Sequence, residues 1–340
     1  MKIGIDCRLV DQEKNTGISR YTLHLVDYYV ARYGSSNIYL ITNRINFSYR
    51  SCNVIFTRFK PFNILHFIFW KLKLKALKFD LIHIPFYSGF FGKLKHVKVI
   101  MTVHDLMYNT LENFFHSNIL INSLKKYYIN FIVFFSLRNI DQIISVSKTT
   151  QHDLKKLFDF DSVHISESVM LSNDFDDNVL TKHNLNAGGY FLYCGNQRRH
   201  KNLAFLLNAF NNSHELPILV LVGPGHSTFN NVLSLGIVSD NELNSLYKNA
   251  IAFIFPSKYE GFGLPILESL YNKTAVLASN ISAFQEFDSK NVFLFELGNI
   301  DDFYRKLDKV ITHKFINEES FFENYSQEKI YSQLDSVCVL

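Results

Sequence analysis

Short apolar runs alternate along the chain with longer stretches whose apolar positions recur at helical spacing. KIGID (2–6), NIYLI (37–41), NVIF (53–56), LIHI (81–84), VKVIMTV (97–103) and QIISV (142–146) read as strands. Helical patterns lie between them over about 18–32, 61–78, 113–138 and 147–158. The pattern weakens over 166–189, a polar, acidic stretch ending in Gly188-Gly189, which reads as a linker region. It restarts with YFLYCG (190–195), a helix from about Lys201, PILVLVG (217–223), a helix over 240–249, AIAFIF (250–255) and a helix from Pro265. TAVLAS (274–279) and NVFLF (291–295) follow as strands, and one helical stretch fills 300–336.

Strand–helix alternation of this kind predicts parallel sheets flanked by helices. Two such halves predict an α/β protein of two doubly wound, Rossmann-like domains facing a cleft, with ligands beyond the carboxyl ends of the strands. The expected domains are 1–168 and 169–320, with 321–340 a C-terminal helix that packs back on the first. A length of 340 residues agrees with two domains.

Composition changes this picture little. Hydrophobic residues make up 47% and charged residues 19%, as in a globular protein. Cys7, Cys52, Cys194 and Cys338 are scattered without a C-x-x-C pair, which disfavours a zinc or dithiol site and suits a reducing cytoplasm. MKIGIDC does not read as a signal peptide, and no apolar run reaches the ~20 residues that span a bilayer. Charge matters more. The net value is +4, yet from Arg58 to Lys98 nine basic residues face one acid, Asp80. Such a surplus points to an anionic partner. PFNILHFIFWKLKLKALKF (61–79) combines aromatics with four lysines, and reads either as a membrane-interface helix or as a core helix with a solvated lysine face. The segment lacks any recognised nucleic-acid module, so nucleic acid is not expected as a partner.

Several stretches carry candidate chemistry. CGNQRRHKNL (194–203) places Gly195 at a strand end, then Arg198, Arg199 and Lys201, then a helix. Free N–H groups and the helix dipole make such a loop an anion site, and a solvated basic loop is the alternative. LVGPGHS (221–227) has G-x-G but Thr228 in place of a third glycine, which disfavours a dinucleotide enzyme. In FPSKYEGFGLPILESL (255–270), Pro265 suits a first helical turn, so Glu260 lies in the loop before it and Glu268 one turn inside. Acids at a helix N-terminus are ordinary stabilising residues, which accounts for Glu268 alone. The two glycines beside Glu260 suggest close approach of a ligand to the backbone. His104 in TVHDL follows a strand of the first half, and Gly17 in NTGISRYT opens a helix. Asp159-x-Asp161 has a spacing known for divalent metals but no glycine context, and reads as a solvated pair.

Together these stretches resemble glycosyltransferase family 4 on the GT-B fold, over roughly residues 2–295. YFLYCGNQRRHKNLAFLLNAF resembles its strand, basic loop and "KN" helix. GIVSDNELNSLYKNAIAFIFPSKYEGFGLPILESL resembles its E-x7-E run, TGISRYT its N-terminal glycine turn and ISVSKTTQHDL its last helix before the linker. YNKTAV (271–276) and Arg199 depart from the common pattern at uncharged or non-catalytic positions. The resemblance implies a retaining hexosyltransferase acting from a nucleotide diphospho-sugar, GDP-mannose first and another GDP- or UDP-sugar next, with no cofactor and no bound metal required. The first domain would bind the acceptor and the second the sugar nucleotide. Arg198 and Lys201 would hold the diphosphate at the Gly195 loop and stabilise the leaving charge. Glu268 would bond the ribose and Glu260 the donor sugar. The N–H groups of Phe262, Gly263 and Leu264 would contact sugar or phosphates. Gly17 would let the first domain approach the diphosphate, and His104 would sit against the sugar. A glycan or lipid-diphosphate-linked acceptor in bacterial O-antigen or capsule synthesis is expected, with cytoplasmic, peripheral attachment to the inner face of the membrane through the anionic lipid partner of 58–98. The rival readings are a GT-B sugar-nucleotide epimerase and a non-catalytic sugar-nucleotide-binding subunit.

Overall fold

The computed structural model describes residues 1–11, 16–169, 174–211 and 216–338. Met1–Glu167 together with Glu328–Leu340 form one unit, and Ser168–Gln327 the other.

In unit 1, seven strands make one parallel sheet. They are β1 (Ile3–Asp6), β2 (Ile38–Thr42), β3 (Asn53–Phe56), β4 (Leu81–Ile84), β5 (Lys98–Val103), β6 (Gln142–Ser145) and β7 (Val163–His164), in the order β3-β2-β1-β4-β5-β6-β7. Ile3 pairs with both Ile38 and Leu81, so β1 is central and the order reverses between β1 and β4. The central strands are buried on both faces, which is why they read as unbroken apolar runs rather than alternating ones. Side-chain caps set the helix starts. Thr16 caps Gly17–Tyr33, Asn63 caps Ile64–Leu77 and Ser147 caps Lys148–Phe158. The helix expected from 113 begins at Ile119, because the Asn118 carboxamide accepts from the N–H groups of Leu120 and Ile121.

Unit 2 holds β8 (Tyr190–Cys194), β9 (Ile218–Val222), β10 (Val232–Gly236), β11 (Ala252–Phe255), β12 (Val276–Ser279) and β13 (Val292–Phe295), parallel and ordered β10-β9-β8-β11-β12-β13. The switch point lies between β8 and β11. Edge strand β10 was not expected. It is short, half-buried, ends in Gly236 and carries a register shift after Ser234, so its pattern is weak.

The single helical stretch expected over 300–336 is corrected to three helices, Ile300–Ile311, Glu319–Glu323 and Gln327–Cys338. The cause is Asn291 at the start of β13. Its Oδ1 accepts from Ile316 N (2.8 Å) and lies 2.9 Å from His313 Nε2, while its Nδ2 donates to Ile316 O and Glu318 Oε2. Segment 313–318 is thereby held out of helical geometry. The last helix lies on unit 1, where Ile330, Leu334, Val337 and Cys338 join the core of Leu25, Tyr28 and Tyr29. Asp335 accepts from Tyr28 Oη (3.0 Å) and Arg32 Nε (2.9 Å).

Candidate active site

In an open parallel sheet the crevice for ligands opens where the strand order reverses. In unit 2 that point is the carboxyl ends of β8 and β11, from which the two predicted stretches emerge. The β8 loop leads through Gly195 and Arg198 to a single 3-10 turn over Arg199–Lys201, and Asn202, in the left-handed region, redirects the chain into the Leu203–Asn211 helix. The β11 loop leads through Glu260 to the Leu264–Tyr271 helix. The structure brings Lys201 and Glu260 together: Lys201 Nζ donates to Glu260 Oε1 at 2.8 Å, and the side chains are only 15% and 13% exposed. The ammonium also lies 4.9 Å from the centroid of the Phe255 ring, a cation–π contact that holds it at the strand end.

The loops around this pair are laced together. Lys258 N donates to His200 O (2.7 Å), joining the β11 and β8 loops. His226 Nε2 donates to Gly195 O (2.8 Å), and Gln197 donates to Gly225 O, joining the β9 and β8 loops. Ser279 Oγ donates to Ser257 O from the end of β12. Gly223 permits the closest of these approaches. Its φ is +130°, and a Cβ there would lie 2.0 Å from Gly195 O. Burial pushes the His200 imidazole down to about 4, with Glu260 opposing and Lys201 and Arg198 reinforcing, so it is neutral at pH 7. The Tyr193 hydroxyl, buried nearby, is pushed up by burial, with Cys194 and Glu260 adding to the effect.

Arg198 stands apart from the ion pair. It is exposed, and its backbone N–H donates to Asn196 Oδ1 (3.1 Å). Glu268 sits one turn into its helix and is 6% exposed. Its Oε2 accepts from Tyr247 Oη at 3.2 Å. Phe262 and Gly263 have a second explanation beside ligand approach. The Phe262 ring packs on Phe287 (5.3 Å) and Tyr325 (6.1 Å). At Gly263 φ is +138°, and a Cβ would press on Phe287 (3.0 Å) and Phe284 (3.2 Å). The chain itself therefore demands glycine at 263. Leu264 and Pro265 open the helix; Pro265 has no N–H, and Ile266 N donates to Gly263 O at 2.9 Å.

His104 lies in unit 1, just after β5, and is buried. Its Nδ1 lies 2.8 Å from Glu167 Oε1 and its Nε2 3.1 Å from Pro85 O. Both partners are oxygen acceptors, so each ring nitrogen faces a group that can only accept. The Tyr21 ring meets it edge-on at 4.6 Å. Gly17 begins its helix with nothing within 4 Å of an added Cβ, so unit 1 imposes no glycine there. Asp159 and Asp161 are 86% and 89% exposed and share Lys155. Among the described residues no group of three or more His, Cys, Asp or Glu is placed to hold a metal.

Sequence reasoning did not single out His200, Tyr247 or Glu167. His200 stands inside the RRHKN motif, where its neighbours drew the attention. Tyr247 reads as one more apolar position of an amphipathic helix. Glu167 is 63 residues from His104 and no local pattern joins them.

The geometry agrees with comparisons to known proteins. Residues 15–166 match the model for Glycosyltransferase Family 4, and residues 181–329 that for Glycosyl transferases group 1. Over 199 residues the chain is 29% identical to the O-antigen chain mannosyltransferase RfbU of Salmonella typhimurium, covering 55% of this chain and 53% of that one. Over 179 residues it is 30% identical to the O-antigen chain mannosyltransferase B of Escherichia coli, covering 44% and 46%. The chain thus spans about half the length of the curated relatives it matches. Anabaena Alr3699/HepE, solved in complex with UDP and glucose, shares the fold with a TM-score of 0.68 at 15% identity, over 99% of each chain. Two parallel-sheet Rossmann-like units, the pair of family domains and the relatives together place the chain among the family 4 glycosyltransferases of GT-B fold.

Proposed function

We propose that the protein moves a hexose, mannose from GDP-mannose in the first instance, onto a hydroxyl of a glycan or lipid-diphosphate-linked acceptor in O-antigen or capsule synthesis, with retention at the anomeric carbon. The Lys201–Glu260 pair at the β8/β11 switch point carries this reading. A cation held at 2.8 Å by a carboxylate is a preorganised charge, and it stands where a diphosphate meets the carboxyl ends of the strands. On this reading Lys201, with Arg198 and the Gly195 loop, stabilises the negative charge that grows on the diphosphate as its bond to the sugar breaks. Glu260 orients Lys201 and accepts from sugar hydroxyls. Glu268, fixed by Tyr247, accepts from the ribose, and the N–H groups of Phe262, Gly263 and Leu264 face the sugar phosphates. In unit 1, His104 and Gly17 keep the roles that the family resemblance implies for them, and nothing lies within 4 Å of a Cβ added at Gly17.

The names of the two O-antigen mannosyltransferase relatives support mannose, and the structural neighbour solved with UDP and glucose supports a nucleotide-sugar donor. A peripheral position at the inner face of a bacterial membrane would suit such an acceptor. Among the described residues no helix is long and apolar enough to cross a membrane. The experiment is a thermal-shift and donor-hydrolysis screen against GDP-, UDP- and dTDP-sugars, with and without EDTA. Stabilisation and slow nucleotide release with GDP-mannose, unchanged by EDTA, is the expected result. Release from no sugar nucleotide would overturn the transferase reading, and a strict Mn²⁺ requirement would overturn the metal-independent one.

A further inference from the structure

At the carboxyl edge of the unit 1 sheet, several connections converge on the ring of His104. His104 follows β5 directly, and Pro85 follows the neighbouring β4. The ring's Nε2 lies 3.1 Å from Pro85 O, and its Nδ1 lies 2.8 Å from Oε1 of Glu167, which comes after β7. Thr150, in the helix after β6, donates its hydroxyl to His104 O at 2.9 Å. Tyr21, one turn after Gly17 on the helix that follows β1, meets the ring edge-on. The Tyr21 hydroxyl is itself anchored. It lies 2.9 Å from Thr102 Oγ1, which lies 2.9 Å from His83 Nε2, and His83 Nδ1 lies 3.0 Å from Tyr29 Oη.

His83 and His104 differ in what they face. Burial, with His104 adding to it, pushes the His83 imidazole down to about 3, so that ring is neutral. Hydroxyls flank it, and a hydroxyl donates or accepts, so either tautomer fits. His104 lies between a carbonyl and a carboxylate. A carbonyl only accepts, so the contact with Pro85 is a hydrogen bond only when Nε2 carries a proton. Even a protonated Glu167 would donate to Nδ1 and leave that proton on Nε2.

The two contacts are not equally easy to give up. Glu167 is 7% exposed, so releasing it would leave a buried carboxylate alone. Pro85 O is an uncharged carbonyl, and exchanging it for another oxygen keeps one hydrogen bond for one. A ligand oxygen that reaches this ring therefore takes the place of Pro85 O.

We propose that Glu167 is a positioning residue for His104: it fixes the ring with a proton on Nε2, and a hydroxyl oxygen of the donor sugar replaces Pro85 O as the acceptor of that proton. Tyr21 holds the same ring from its side. The identity of the ligand rests on the transferase reading, whereas the role of Glu167 rests on unit 1 alone.

The test is long-range proton–nitrogen NMR of the intact protein with isotope-labelled histidine rings, His104→Gln identifying the His104 signals. In the parent, Nε2 should show as a protonated nitrogen, and GDP-mannose should shift it while GDP should not. Glu167→Ala should move the signal toward that of mixed tautomers. It should also lower kcat/KM for GDP-mannose about tenfold, with inhibition by GDP unchanged within about twofold. Glu167→Gln, whose amide donates to Nδ1 and leaves Nε2–H in place, should stay within about threefold of the parent. An unprotonated Nε2 in the parent, a Glu167→Ala spectrum like the parent's, or the same response to GDP as to GDP-mannose would overturn the proposal. So would equal losses of GDP and GDP-mannose in Glu167→Ala, since Glu167 would then serve the fold alone. Should Glu167→Ala not fold, the parent's spectra and Glu167→Gln still decide. Absence of turnover with any sugar nucleotide would sink the transferase reading, while the spectra of the free protein would still decide the role of Glu167.

Discussion

Replacing Lys201 by methionine removes the ammonium and keeps most of the stem that lies beside Phe255. The pair is 2.8 Å apart with both side chains about seven-eighths covered, so the gross attraction is several kcal/mol at an effective dielectric of about 20. Most of that is offset by desolvation, and what the single variant reveals is the cost of a carboxylate left alone. A fully buried orphan costs about 3–5 kcal/mol, and some solvent contact at Glu260 lowers the expectation to about 2 kcal/mol. Unit 2 is about 160 residues long, so its melting point should fall by about 4–8 °C. Lys201→Met/Glu260→Gln should recover much of this, because no charge is then left unpaired, and the cycle should report a coupling of about 1–2 kcal/mol. Turnover behaves differently. Removing one preorganised charge from the departing diphosphate should lower kcat/KM about 10²–10³-fold in the single variant, and the double variant should not recover it. Thermal unfolding of four proteins and steady-state nucleotide release read both quantities. Additivity in stability within about 0.5 kcal/mol would refute the coupling. Turnover within about threefold of the parent would refute the role at the diphosphate.

Gly223→Ala should cost unit 2 about 3–5 kcal/mol in denaturant unfolding, since the new Cβ would meet Gly195 O at 2.0 Å in a backbone conformation suited to glycine; a change under about 1 kcal/mol would contradict that packing. Leu334→Ala should destabilise unit 1, not unit 2, by about 2–4 kcal/mol, although it lies at the far end of the chain, as followed by hydrogen exchange at Tyr28 and Tyr29. Acid should also destabilise the fold. Burial pushes His66 and His83 down to about 3 and His200 to about 4, so the folded chain keeps them neutral while the unfolded chain takes up protons below about pH 6.5. Their contribution is complete above about pH 6.5 and is lost as pH falls toward those values, by about 1.4 kcal/mol per unit for each histidine. Calorimetric unfolding near pH 5 in buffers of different ionisation enthalpy should show proton uptake of about three from these groups; uptake below one would refute it.

The α/β alternation was legible because central parallel strands such as LIHI are buried and apolar throughout, while NVIF, the largely exposed edge strand β3, was bounded by its short β-forming run. What escaped was set by long-range hydrogen bonds. Nothing local in 300–336 shows that Asn291 holds 313–318 extended, and the pattern there is helical on both sides. The site was legible in its loops: RRHKN and EGFGLPILE emerge at the switch point of one sheet. The direct contact of Lys201 with Glu260, 59 residues on, was not, because it depends on β8 and β11 being neighbours while β9 and β10 intervene in sequence. The glycines of EGFG were read as clearance for a ligand, and at 263 the ring packing of Phe284 and Phe287 already requires one.

The last helix belongs to the unit that the chain begins with, and this orders events on the ribosome. Tyr28 and Tyr29 are completed by Ile330, Leu334 and Val337, which are synthesised only after all of Ser168–Gln327. At about 5–20 residues per second that delay is roughly 10–30 s. Unit 2 can therefore close its core while unit 1 still waits with an open apolar groove along the Gly17–Tyr33 helix. The unit made first is finished last, and its nascent form is the stage at which a chaperone has a hydrophobic target.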